Sequence, residues 1–232
     1  KNESGVDYQF PRCSASKLSA PRRMNKMSDA FSLLIKNFEV LFPGIYGEEK
    51  EVLAHFKKWI NDEYLDFKNG VHPNRKIPGQ LSYNDYRLHS KSALVIGETE
   101  RPDITTLIKV SSALLVGMGV TVAARNQSNF EWWDKVKTFM HNGGISKENF
   151  DVFFASEKVL NLALEDVQYT HVIFDSLDSK YFSQIKNMTK KITPHEAPKL
   201  MDFKKFLEDF VWTRSFAVNT MRHGAPLEID VV

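Results

Sequence analysis

From Ser92 onward the chain alternates short β-branched runs with longer amphipathic stretches: SALVIG, DITTLIKVSSALLVGM, VTVAAR, NFEWWDKVKTFMHNGG, FDVFFAS, EKVLNLALED, HVIFDS and SKYFSQIKNM. Strands that follow one another in this way can share a sheet only through crossovers that span its face. Each intervening stretch is long enough to be such a helix. The alternation therefore predicts an α/β fold, a Rossmann-like doubly wound parallel sheet, over residues 81–200. The local punctuation agrees. Asp103 and either Ser128 or Asn129 stand where helices need an N-cap, and Gly143-Gly144 stands where one must stop.

The flanks read differently. Residues 1–27 are polar and basic without a sustained period, and the cluster Arg22, Arg23 and Lys26 reads as solvated linker. Residues 28–80 hold a helical pair and a connector. One helix is expected from Ser28 as N-cap, with Phe31, Leu34, Ile35, Phe38, Leu41 and Phe42 on one face, and a second carries Val52, Leu53, Phe56, Trp59, Ile60 and Tyr64. IPGQLSYNDY then reads as an extended connector. In residues 201–232 a last helix is expected to carry Phe203, Phe206, Leu207, Phe210 and Val211, followed by a β-prone tail, LEIDVV. A lone strand is unstable, so the tail must add to a sheet edge, which another domain or chain could offer.

Composition narrows the functions available. Thirty-one Lys and Arg against twenty-nine Asp and Glu leave a net charge of +2 without charge blocks, so neither nucleic acid nor an anionic membrane is an expected partner. No apolar run approaches the roughly 18 residues of a membrane span. The single cysteine, Cys13, allows no internal disulfide and suits a reducing compartment, and the chain reads as cytoplasmic. Seven histidines include no His-x-x-x-His pair, and Ser215 with His223 lacks a nucleophile elbow, so neither zinc hydrolysis nor a serine triad is supported. Of Trp132 and Trp133, adjacent on a helix, one is expected to face the sheet and the other solvent.

A doubly wound sheet binds nucleotides at the carboxyl ends of its strands, through glycine turns that let a pyrophosphate approach the backbone. Those turns are unpromising here. The first reads GETERPD, with one glycine, Gly97, and the acids Glu98, Glu100 and Asp103, and the turn FDSLDS has none. Glu98 and Glu100 read as solvated loop, and Asp175 and Asp178 as helix caps rather than metal ligands. No phosphate-binding loop of the G-x-x-x-x-G-K type occurs.

The stretch from LIKVSSALLVGM through FDVFFAS resembles the coenzyme domain of aldehyde dehydrogenases, and YTHVIFDSLDSKYFSQI resembles that family's later phosphate turn and helix. Where the family carries a ribose-binding lysine, this chain has Ala123, Ala124 and Arg125, and where it carries the turn glycine, this chain has Ser176 beside Asp175. Nothing around Cys13 resembles the family's nucleophile segment. The ends are similar to a narrower group, the C-terminal domain of bifunctional proline utilization A. Lys1, Gly5, Asp7 and Tyr8 resemble the end of its pyrroline-5-carboxylate dehydrogenase segment, and Ile77, Pro78, Gly79, Asn84 and Tyr86 its following connector. Arg214, Ser215, Asn219, Thr220 and Gly224 resemble its closing motif, with Ala225-Pro226 replacing Gly-Asn.

The resemblance implies a domain without its own cofactor or catalytic residues, in a parent that uses FAD to oxidise proline and NAD to oxidise glutamate semialdehyde. Starting at Lys1, the chain is expected to be a piece of that longer protein. Its expected partner is the upstream dehydrogenase domain, with Arg214, Ser215, Asn219, Thr220 and Gly224 helping to seal an internal passage for the intermediate. Two other readings stay open: a degenerate nucleotide-binding regulatory domain, and a module for homo-oligomerisation.

Overall fold

The structure, a computed structural model, describes residues 10–44, 47–68, 80–88, 92–169, 171–176, 179–186, 188, 191–193, 202–219 and 228–231. In chain order the elements are helices α1 (Ala20–Lys36), α2 (Phe38–Leu41), α3 (Glu48–Asp62) and α4 (Tyr64–Lys68), and strands β1 (Gln80–Leu88) and β2 (Ser92–Gly97). Then follow α5 (Ile104–Val116), β3 (Gly119–Ala124), α6 (Gln127–Asn142), β4 (Phe150–Phe154), α7 (Glu157–Glu165), β5 (His171–Phe174), α8 (Phe182–Lys186) and β6 (Lys191–Thr193). The chain continues through α9 (Phe203–Glu208), β7 (Val211–Asn219) and β8 (Glu228–Val231).

The strands from β2 to β6 form the expected parallel sheet, in the order β4-β3-β2-β5-β6. Alternate residues point to opposite faces, so the sheet divides the apolar side chains between two cores. Ala93, Val95, Val120, Val122 and Ile173 pack with α1, α3, α5 and α6 on one face. Leu94, Ile96, Ala123, Val172 and Phe174 pack with α7 and α8 on the other, against Leu160, Leu164, Tyr181 and Ile185. A strand covered on both sides has no polar face to present, which is why SALVIG is buried throughout.

The helical pair forms through aromatic contact. Phe31 of α1 and Phe56 of α3 meet edge-on at 5.0 Å, and Phe56 lies 5.1 Å from Phe203 of α9. Here the sequence reading needs correction. The first helix starts at Ala20, after Ser19 and with Pro21 in its first turn, and Ser28 lies inside it. Proline is tolerated there because the first turn has no N–H to give up. Nor are Arg23 and Lys26 solvated linker. Arg23 donates through Nε to the carbonyl of Leu115 at 2.8 Å, and Lys26 to that of Gly144 at 2.7 Å, so both satisfy carbonyls near the ends of neighbouring helices.

Residues before α1 also pack rather than dangle. They run across the amino-terminal side of the sheet, where Ser14 N donates to the Glu148 carbonyl at 2.7 Å and Ser16 N to that of Gly117 at 2.9 Å. The hydroxyl of Ser92 and the side-chain amide of Gln168 both donate to the Cys13 carbonyl, at 2.8 and 2.9 Å. The fit depends on Gly119, where any Cβ would lie 2.5 Å from the Ser14 carbonyl oxygen.

Trp132 and Trp133 are both buried, which corrects the expectation of one surface tryptophan. Helices α1 and α2 cover the outside of α6, so its outer face also lies in the core, and Trp132 Nε1 reaches the Leu41 carbonyl at 2.8 Å.

A second sheet stands outside the parallel one, in the antiparallel order β1-β7-β8. It corrects two expectations and bears out a third, that the tail adds as a strand to a sheet edge. The connector IPGQLSYNDY enters a strand at Gln80. The last helix ends at Glu208, and Val211 opens β7. The tail strand pairs with its own chain, Val218 opposite Glu228 and Ser215 opposite Val231.

If the helical pair is held by buried rings, Phe56→Ala costs about 3–5 kcal/mol in urea unfolding, while Val40→Ala on the exposed side of α2 stays within about 0.5 kcal/mol. Equal losses at the two positions would contradict this packing.

Candidate functional site

In the order β4-β3-β2-β5-β6 the connection reverses direction between β2 and β5. The crevice outside the carboxyl ends of those two strands is where this class of fold takes ligands. Gly97 ends β2 and Asp175 follows β5, so both turns singled out in the sequence meet here.

Asp175 is 3 % exposed and, contrary to expectation, caps no helix among the described residues. Its Oδ1 accepts from the Glu98 amide at 2.9 Å. Its Oδ2 accepts from the Thr99 amide at 3.2 Å, the Thr99 hydroxyl at 2.6 Å and Asn129 Nδ2 at 3.1 Å. A buried carboxylate needs such compensation, since losing water without replacement donors costs several kcal/mol. The loop 98–99 is held from its carbonyl side too. Asn126 Nδ2 donates to the carbonyls of Glu98 and Thr99, at 3.0 and 3.2 Å, and Asn129 Nδ2 to that of Thr99 at 2.7 Å.

Asn126, rather than Ser128 or Asn129, is the N-cap of α6, and its Oδ1 accepts from the Asn129 amide at 2.8 Å. Asp103 caps α5 as expected, accepting from Thr106 N at 2.8 Å. Gly97 is required by what fills the crevice. A Cβ built there would lie 2.1 Å from Asn129 Oδ1, so the space a glycine leaves for a ligand is taken by an asparagine of the same chain.

Beside the crevice, Arg125 follows β3. One guanidinium nitrogen donates to the Ala155 carbonyl, and the group sits 5.7 Å from the centre of the Tyr181 ring. Lys180 lies 5.0 Å from the same ring and 3.3 Å from Glu157 at the start of α7.

The remaining candidates lie elsewhere. Burial pushes the Cys13 thiol up to about 11, although a hydrogen bond with Thr121 opposes the rise, so at neutral pH it is a protonated core group and no nucleophile. Arg214, Ser215 and Asn219 lie along β7, opposite Asp85, Asn84 and Gln80 of β1, far in sequence from the crevice residues they were not expected to join. Thr220, Gly224 and His223 lie outside the described residues, as does Asp178. Among the described residues no group of three His, Cys, Asp or Glu is placed to hold a metal ion, and no helix is long and apolar enough to cross a membrane.

Thr99, Asn126 and Tyr181 are crevice residues that the sequence reading did not single out, and Asn129 was singled out only as a helix cap. One signal was available for two of them: Asn126 and Asn129 are spaced i, i+3 directly after a strand, the spacing of an N-cap and the amide it receives.

Solved structures resemble this architecture. The aldehyde dehydrogenase of Bacillus cereus in its NAD+ complex matches 77 % of this chain and 38 % of its own, with a TM-score of 0.57 at 14 % identity. The aldehyde dehydrogenase KauB of Pseudomonas aeruginosa matches 76 % and 38 %, with a TM-score of 0.56 at 15 % identity. The fold is aldehyde dehydrogenase-like. A 1-pyrroline-5-carboxylate dehydrogenase variant from Thermus thermophilus also matches, over 68 % of this chain and 32 % of its own, with a TM-score of 0.51 at 16 % identity. The chain thus spans well under half the length of each of these dehydrogenases. No family model and no curated protein sequence matches it.

The buried acids give a pH signature. Folding raises the Cys13 thiol from 9.0 to about 11 and the Tyr169 hydroxyl from 10.0 to about 12, chiefly by desolvation. Their contribution is complete below pH 9 and is lost as pH rises, because the unfolded chain ionises first. Cys13→Ser therefore flattens the decline in stability between about pH 9 and 11, leaving the rest to Tyr169 and to Tyr64, whose hydroxyl is also pushed up by burial; identical wild-type and variant profiles would contradict this.

Proposed function

We propose that this chain is a non-catalytic aldehyde dehydrogenase-like domain of a proline-catabolic pyrroline-5-carboxylate dehydrogenase. In this reading it packs on the catalytic domain of the same polypeptide and helps to close an internal passage for the intermediate. The observation that carries the non-catalytic part is the crevice between β2 and β5. Its amides already hold the carboxylate of Asp175, and Asn129 occupies the approach over Gly97. The one cysteine is buried and held protonated.

The link to proline catabolism draws on the motifs at both ends of the chain and is supported by the likeness to a 1-pyrroline-5-carboxylate dehydrogenase. The domain then needs no cofactor of its own, while the parent uses NAD and FAD in the cytoplasm. The sheet β1-β7-β8 carries the proposed interface residues Arg214, Ser215 and Asn219, with Thr220 and Gly224 following. A three-stranded sheet with two outer strands is the natural surface for joining the upstream domain, or a second copy of the protein.

In the complete protein, deleting residues 221–232 leaves each half-reaction measurable with its own substrate but introduces a lag in NADH formation from proline, as the intermediate escapes to solvent. The isolated chain gives no calorimetric signal with NAD at micromolar concentrations. A truncated protein without a lag, from which a trap for pyrroline-5-carboxylate captures nothing, would falsify the sealing role. Micromolar NAD binding by the isolated chain would remove the non-catalytic reading.

A further inference from the structure

The donors at the crevice form a pattern with its own chemistry. Two consecutive backbone amides, of Glu98 and Thr99, converge with the Thr99 hydroxyl and the Asn129 side-chain amide on a single pair of oxygens. Consecutive N–H groups turned toward one point make a concavity that binds oxyanions, because their partial positive charges add. In this protein the oxyanion is a side chain of the same chain. It arrives from β5, across the switch point, into the place where a fold of this class holds an external ligand.

We propose that residues 98 and 99 form a phosphate-type oxyanion site to which Asp175 is a tethered internal ligand. It is the Asp175 carboxylate, and not a lack of donors, that keeps phosphate-bearing molecules out. The two amides are also held by groups other than the anion. Asn126 and Asn129 fix the carbonyls of Glu98 and Thr99, and Asn126 is itself locked as the cap of α6. Taking the carboxylate away therefore leaves the loop in place with its amides facing a vacated space. A tetrahedral oxyanion can fill that space with the same donors, whereas the neutral remnant of a truncated side chain cannot. One further group opposes an incoming anion. The Oε2 atom of Glu98, whose own amide is one of the donors, is buried and accepts no hydrogen bond among the described residues, so a carboxylate charge on this residue would add repulsion.

The inference rests on the crevice geometry and does not need the role proposed above. The lag experiment tests that role, and phosphate binding tests this site. The probe is inorganic phosphate, compared with chloride at matched ionic strength, and the readout is the melting temperature. Wild type and Glu98→Gln are unmoved by phosphate, since both keep Asp175. In the double variant Glu98→Gln, Asp175→Ala, phosphate at ten times its Kd raises the Tm by roughly 3–6 °C.

A folded double variant that gains no more from phosphate than wild type overturns the proposal, as does a phosphate response in Glu98→Gln alone. If the double variant does not fold, amide hydrogen exchange of the wild type decides. Protection of the Glu98 and Thr99 amides comparable to that of β2 supports an internally liganded site. Exchange at the rate of an open loop overturns it.

Discussion

The structure depends on the burial of β2 on both faces. Ala93, Leu94, Val95 and Ile96 are all fully buried, alternating between two separate cores. Such a strand must have partners on both edges, because none of its backbone groups can turn to water. The neighbours β3 and β5 supply them, and both are parallel to it. Parallel partners need crossovers, the crossovers become the helices, and the helices become the two apolar layers that bury the strand. The chemistry at the crevice follows from the same fact, since placing β3 and β5 on opposite sides of β2 is what opens a switch point at its carboxyl end.

The margins of the sheet show how such a core is kept to itself. At the outer edge of β4, the Phe150 amide donates to the Ser146 carbonyl at 3.1 Å, His141 Nε2 bonds to the Phe150 carbonyl at 2.9 Å, and the Val152 amide donates to Asp151 Oδ1 at 2.8 Å. Lys137, 3.6 Å from Asp151, adds a charge there. These local bonds occupy groups that would otherwise pair with a foreign strand. The amino-terminal margin is closed by residues 10–16, whose backbone is bonded to Thr121, Gln168, Ser92 and Tyr169. In the antiparallel sheet β7 lies between two outer strands, β1 and β8.

At the carboxyl end, the same fold that serves nucleotide chemistry elsewhere has been filled from within. Few residues do this: an aspartate after β5, an asparagine over a glycine, and an arginine set against a tyrosine ring beside them. None of them disturbs the apolar alternation that builds the sheet, because all four lie past the strand ends. The core and the crevice thus use different residues, and the crevice can be occupied from within without a change to the apolar layers.

The parallel sheet was legible in the sequence because its cause is local: strand and helix periods differ, and turns carry caps such as Asp103 and Gly143-Gly144. The helical pair was legible for the same reason, though not the true start of α1, whose first turn is polar and is fixed by carbonyls of α5 and the turn after α6. What the sequence could not decide was everything set by partners distant along the chain. Trp132 is buried because α1 and α2 happen to lie over α6, and the fate of GQLSYNDY was decided by β7, which pairs Gln80 with Asn219. Asp175 looked like a helix cap because capping is the commonest local use of an aspartate after a strand. Its actual partners are Glu98, Thr99 and Asn129. Periodicity and capping are written within a few residues and can be read from them. The occupant of a crevice between two strands is chosen only when the sheet brings their ends together.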